Sequence, residues 1–160
     1  MSKYIWPVTT GLILLAVVTC PVSAHHSIAG EFDLTKPAHI EGTVTNVEWR
    51  NPHVYVYMTG KDGNGSVVQW RVEASQPALL PLIGWNSTTV MPGMDVRVDG
   101  FLAKKPGENK FVSTVFTITG ANPRVFKLPS CWTITDRNGN PVNLNGTPFT
   151  LADRQRCGIP

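Results

Sequence analysis

The chain has 160 residues, of which 42% are hydrophobic and 16% charged, and its formal net charge is +3. A chain this short has room for one domain and one core. Its 14 lysines and arginines gather into no run, so composition and charge argue against a nucleic-acid partner.

Residues 1–24 read as a leader: Lys3 gives a positive start, Gly11 to Val18 (GLILLAVV) an apolar centre, and Val22-Ser23-Ala24 a small-residue cleavage site. Cleavage between Ala24 and His25 leaves a mature chain of 136 residues and a periplasmic or secreted location. The apolar run falls short of the ~20 residues that a membrane span needs, and no later stretch approaches that length. Cys20 lacks the small-residue context of a lipid-attachment signal, since Val17-Val18-Thr19 precede it and Pro21 follows. Residues 25–36 form an N-terminal arm, 37–120 the main β unit and 121–160 an extension.

Strand patterns begin at Pro37. In His39 to Trp49, Ile40 and Val44 face inward, and Gly42 suggests a bulge or sharp bend. His53 to Met58 (HVYVYM) alternates, with Val54, Val56 and Met58 on one face and His53, Tyr55 and Tyr57 on the other. A turn at Gly60 to Ser66 leads into Val67 to Glu73, where Val68, Trp70 and Val72 oppose Gln69, Arg71 and Glu73, so the two runs form a hairpin. Ser75 to Trp85 reads as a short helix, capped by Ser75, started by Pro77, limited by Pro81 and ended by Gly84. Met91 to Ala103 and Lys110 to Gly120 supply two more strands. Three strands, a helix and two strands match the order of an OB-like five-stranded Greek-key barrel; an immunoglobulin-like sandwich wants more strands and no helix.

Beyond Gly120 the chain turns Asn-, Pro- and Gly-rich, but Cys131 to Gly146 holds two β-prone runs around Asn138-Gly139, which predicts a terminal hairpin. Loss of Cys20 with the leader leaves Cys131 and Cys157 as an even pair in an exported chain, and a disulfide is the expectation. Such a clip contributes about 3 kcal/mol when unstrained, and it suits a hairpin that is marginal alone.

The residues AHHS (Ala24 to Ser27), EFD (Glu31 to Asp33), VEWRNPH (Val47 to His53), Trp70 with Glu73, Gly84-Trp85 and PGMDVRVDG (Pro92 to Gly100) occur in one order along the chain. Together they resemble a family of small exported bacterial proteins of unknown function, typified by an AHHSF mature start and an EWxNPH segment. The resemblance spans about residues 24–105 and implies a periplasmic β-barrel without an assigned activity. Ile28 stands where that family has an aromatic residue, and the cysteine-bearing tail extends beyond its usual end.

The mature terminus carries the sharpest chemistry. A free α-amine and the imidazole of His25, with a further imidazole from His26 or His53, form a nitrogen-rich set suited to Cu(II), which tops the divalent affinity order and favours tetragonal nitrogen ligation. The amine ionises near ~7.7 to 8.0, so a metal displaces its proton at small cost near neutral pH. The arrangement resembles the histidine brace of copper enzymes and carriers. Glu31 and Asp33 lie close enough in sequence to orient a ligating imidazole, or are solvated loop charges. A flexible His-His terminus and a structural, hydrogen-bonded His53 are the plain alternatives, and His39 reads as structural.

OB-folds bind extended ligands on the face of their second and third strands, here Tyr55, Tyr57, Gln69, Arg71 and Glu73. Aromatic and polar groups together suit an envelope glycan or small molecule, although cross-strand pairing alone explains them as well. Trp49, Trp70 and Trp85 read as core or as seals at the barrel ends. No nucleophile with its base, paired carboxylates, phosphate cradle or CxxC stands out. A binding or accessory protein is therefore expected before an enzyme, with a copper-dependent oxidase as the third class. A metal ion, small molecule or glycan is the expected partner, and the residues name no protein partner.

Overall fold

A computed structural model describes residues 28–129, 133–135, 137–138, 140–143, 148–152 and 154. The segment 1–24 expected to be a leader, His25, His26, Cys131 and Cys157 lie outside the described residues. No helix among the described residues is long and apolar enough to cross a membrane.

The architecture is mainly β. A single helical turn, α1 (Ile28–Glu31), runs into β1 (Phe32–Glu48), followed by β2 (Tyr55–Lys61), β3 (Val67–Glu73), a 3-10 helix (Leu80–Ile83), β4 (Asp95–Ala103), β5 (Lys110–Ile118) and β6 (Arg124–Lys127). These six strands form one sheet in the order β3-β2-β1-β4-β5-β6, and β3 also pairs with β5, so the sheet returns on itself. That last pairing is parallel, whereas the other pairs in the sheet are antiparallel. The terminal hairpin forms as a separate two-stranded sheet of β7 (Thr133–Thr135) and β8 (Pro141–Asn143).

The long strand β1 bridges both halves by pairing with β4 along its first part and with β2 along its second. At Gly42 it meets both, opposite Gly60 and Val96. A Cβ on Gly42 would lie 2.1 Å from the Thr59 carbonyl oxygen, so only glycine allows this approach of backbones. The bulge expected at Gly42 instead lies between Val44 and Asn46. There the Val44 N–H donates to the Met94 carbonyl at 2.8 Å, and the Val44 carbonyl accepts from Gly93 N–H at 2.8 Å. These bonds use backbone groups at the bulge.

Period-two alternation sorts the inner faces as expected. Val54, Val56, Met58, Val72 and Val98 are fully buried, and Ile40, Val44, Trp70 and Val96 are nearly so. Departures occur where short-range signals compete. β1 starts at Phe32 rather than near Pro37, because its first residue packs with Ile28, Phe101 and Val112 in a second apolar cluster. The helical segment is a shorter 3-10 turn that contains Pro81, and Ser75 Oγ donates to the Pro129 carbonyl instead of capping it. Gly84, at φ 78°, ends that turn, and Trp85 N–H donates to the Leu80 carbonyl at 3.1 Å.

Trp85 is consequently fully buried, with its ring centroid 4.8 Å from Phe116 and 5.3 Å from Phe126. Phe126 belongs to β6, a strand of only four residues in the segment expected to lie outside the main unit. It pairs with β5 along its whole length and turns only Phe126 inward.

Candidate functional site

The hairpin register brings the predicted groups together. Tyr55 lies opposite Glu73 and Tyr57 opposite Arg71. The ladder continues past the strand ends, with Val54 N–H donating to the Ser75 carbonyl at 3.1 Å and Ala74 N–H to the Val54 carbonyl at 2.8 Å. His53 therefore stands diagonally from Glu73 on the same face, within reach of its side chain. His53 Nδ1 is 2.6 Å from Glu73 Oε1, and each residue is only 9% exposed.

Alternation placed His53 on the outward face, but its ring is buried. A carboxylate on Nδ1 makes that nitrogen the donor. Glu73, grouped by sequence with the ligand face, thus bonds the candidate metal ligand. The shared face and the hairpin carried the signal for this pair, since a turn centred in Gly60 to Ser66 brings residue 73 near 55 and hence near 53. Ser113 Oγ secures the same residue from β5 by donating to the Glu73 carbonyl at 2.9 Å.

The rest of the expected ligand face is assembled but covered by its own arginines. The Arg71 guanidinium sits 4.5 Å from the centre of the Tyr55 ring, and that of Arg50 5.2 Å. Arg50 Nε also meets Glu48 Oε2 at 2.9 Å. Burial, reinforced by the Glu73 carboxylate, holds the Tyr55 phenol above its ordinary value. Burial and the Glu48 carboxylate do the same to Tyr57. Gln69 lies farther along β3, where its amide donates to Thr59 Oγ1 at 2.8 Å.

Glu31 and Asp33 have other partners. Lys110 Nζ bridges Glu31 Oε1 at 3.0 Å and Glu108 Oε2 at 2.8 Å. Lys110 and then Lys105 draw the Glu108 carboxyl down to about 2, and the two glutamates raise the Lys110 ammonium. Asp33 accepts from Thr35 Oγ1 at 2.6 Å and pairs with Lys36 at 3.3 Å. Its carboxyl is lowered, first by the Thr35 bond.

The arm nonetheless approaches the pair. Ile28 shares its apolar cluster with Val112, and Val112 is the β5 partner of Glu73 in the parallel ladder. Two positions along that ladder Lys110, which holds Glu31, lies beside Arg71. The first described residue therefore sits on the side of the sheet that carries Glu73 and His53. Among the described residues no group of three or more His, Cys, Asp and Glu side chains is placed to hold a metal ion.

No curated protein matches this chain. A family model does match residues 13–111, an interval that includes the His53–Glu73 pair and the glycine crossings of the sheet. On that match, which takes in more than half of its length, the chain belongs to the family of unknown function DUF6152.

Proposed function

We propose that the protein is an exported copper-binding accessory protein of the periplasm, released by cleavage between Ala24 and His25. In this reading the α-amine and imidazole of His25, with the imidazoles of His26 and His53, hold Cu(II), and Glu73 orients His53. Its role is carriage or sequestration. The sheet is read as an OB-type Greek-key barrel of β1 to β5, extended by β6 and by a tail clipped through Cys131 and Cys157.

The observation that carries the reading is the buried 2.6 Å contact between His53 Nδ1 and Glu73 Oε1. Ligating histidines almost always give their second ring nitrogen to such an acceptor. Chain reach supports it too: His25 precedes Ile28 by three residues, a span of up to ~10 Å when extended. Glu31 and Asp33 supply negative charge near the terminus, while the orienting role falls to Glu73.

The glycan or small-molecule reading on Tyr55, Tyr57, Arg71 and Glu73 has weaker support, because two guanidiniums already occupy the surroundings of Tyr55. A copper-dependent oxidase needs an open coordination position beyond the donors named, and no observation favours one. Intact-mass analysis of the exported protein is expected to show His25 as its first residue. Titration with Cu(II) is expected to give one tight equivalent in the native protein and none in His25→Ala. A blocked or different terminus, or equal uptake by both proteins, contradicts the proposal.

A further inference from the structure

Two irregularities flank β4 on the outward side of the sheet. β1 pairs Phe32 with Ala103 and next Pro37 with Phe101, so residues 33–36 stand against Leu102 alone and bow away from β4. On the other side Asp99 pairs with Val115 but Gly100 with Ser113, which leaves Thr114 as an extra residue in β5. Bulges of this kind re-aim side chains and recur beside functional sites. Here they border a cleft of about 510 Å³, within the range of small-molecule sites.

Cross-strand partners share a face. Pro37 with Phe101 and His39 with Asp99 therefore turn to the side opposite Ile40 and Val98, which fill the main core. All four line the cleft, together with Leu34 and Thr114. The polar side chains of the bow take up each other: Thr35 Oγ1 donates to Asp33 at 2.6 Å, and Lys36 pairs with it at 3.3 Å. Leu34, Pro37 and Phe101 remain as the apolar part of the lining.

The charge beside the cleft is negative. Arg97 lies between two carboxylates, Glu41 Oε1 and Asp99 Oδ1, each at 3.0 Å, so the trio carries one unmatched negative charge. The second Asp99 oxygen is engaged by no described residue, and neither is the His39 ring across from it. Lys127, the next cation in that row, stands two strands beyond Asp99 and outside the lining. Thr114 Oγ1 donates to the Asp99 carbonyl at 3.1 Å, which leaves its lone pairs able to accept.

We infer that this cleft binds a small organic ammonium ion with an apolar body. Its N–H groups donate to the second Asp99 oxygen and to Thr114 Oγ1, and the body lies along Leu34, Pro37 and Phe101, with the His39 ring at the rim. The site is independent of the copper reading, which uses none of these residues.

Benzylammonium and its neutral analogue benzyl alcohol test it on the 15N-labelled mature protein near neutral pH. Benzylammonium is expected to shift the Gly100 and Thr114 amide resonances saturably, and benzyl alcohol to bind about ten-fold more weakly for want of the charge-assisted bond. Asp99→Asn, an isosteric change at a half-buried position, is expected to weaken benzylammonium binding about ten-fold. Arg97→Gln removes the competing guanidinium and is expected to tighten that binding about two-fold or more. Near-ultraviolet circular dichroism checks the fold of both variants. No saturable shift at these amides, equal binding of the two probes, an unchanged affinity in Asp99→Asn, or no tightening in Arg97→Gln overturns the inference.

Discussion

Glu73→Gln is expected to weaken Cu(II) binding by the mature protein by 10- to 100-fold, the usual cost of losing the acceptor behind a ligating imidazole. Glutamine matches the shape of glutamate and keeps an oxygen near His53 Nδ1, but it removes the charge that makes the histidine a stronger donor. The isostere is preferable to alanine because the pair is buried. Glu73→Ala breaks it outright and is expected to cost about 3 kcal/mol of stability. Competition against a chelator of known affinity measures the change. Glu31→Gln is the matched control: its carboxylate is held by Lys110, and its removal is expected to alter copper affinity less than two-fold. Equal affinities of the native and Glu73→Gln proteins would remove Glu73 from the site.

The largest expected loss of stability follows substitution at Gly100. A Cβ there would stand 1.9 Å from the Val112 carbonyl oxygen and 2.9 Å from Cε1 of Phe111. The nearest obstacle is backbone, so no rotamer change relieves it and β4 must move away from β5. The site is where the β4–β5 register shifts, between Asp99 and Gly100. Overpacking that side chains partly absorb costs about 1–3 kcal/mol, and a backbone clash belongs at or above the top of that range. Gly100→Ala is therefore expected to lower the thermal midpoint on the order of 10 °C. Gly63→Ala, with nothing within 4 Å of the added carbon, is expected to leave the midpoint unchanged. The effect should reach the arm as well, since the displaced Val112 belongs to the cluster that seats Ile28 and is the ladder partner of Glu73.

The inner faces of the central strands were legible in the sequence because alternation reports directly on burial. Val54, Val56 and Met58 were separable from Tyr57 by period alone, whereas Tyr55, assigned to the outward face, is buried. What alternation does not report is which strands cross closely. Gly42 was visible as an irregularity, but its cause, the Thr59 carbonyl, comes from another strand. Gly100 carried no local signal, because the atoms that forbid a side chain there belong to β5. β6 escaped notice for the opposite reason: its four residues carry no periodicity, and it joins by pairing with β5 while Phe126 meets Trp85.

At the candidate site, the composition of the face was legible and its internal bonding was not. His53, Tyr55, Tyr57, Arg71 and Glu73 all followed from alternation, yet whether they faced a ligand or each other depended on register. Register placed Glu73 against His53 and Arg71 over Tyr55, which turns an apparently open face into a packed one. Glu31 and Asp33 illustrate the limit of proximity in sequence. Both lie a few residues from the histidines, and both direct their carboxylates to other partners.

On the proposed copper reading, a ring buried in the sheet, His53, shares one Cu(II) ion with the mature N-terminus. Pulsed electron paramagnetic resonance on the loaded protein reads this directly, because a ligating imidazole imprints its remote nitrogen on the echo modulation. His53→Gln is expected to lose the contribution of one imidazole, and His25→Ala to abolish the signal of the bound ion. An echo modulation identical in the native and His53→Gln proteins would contradict it.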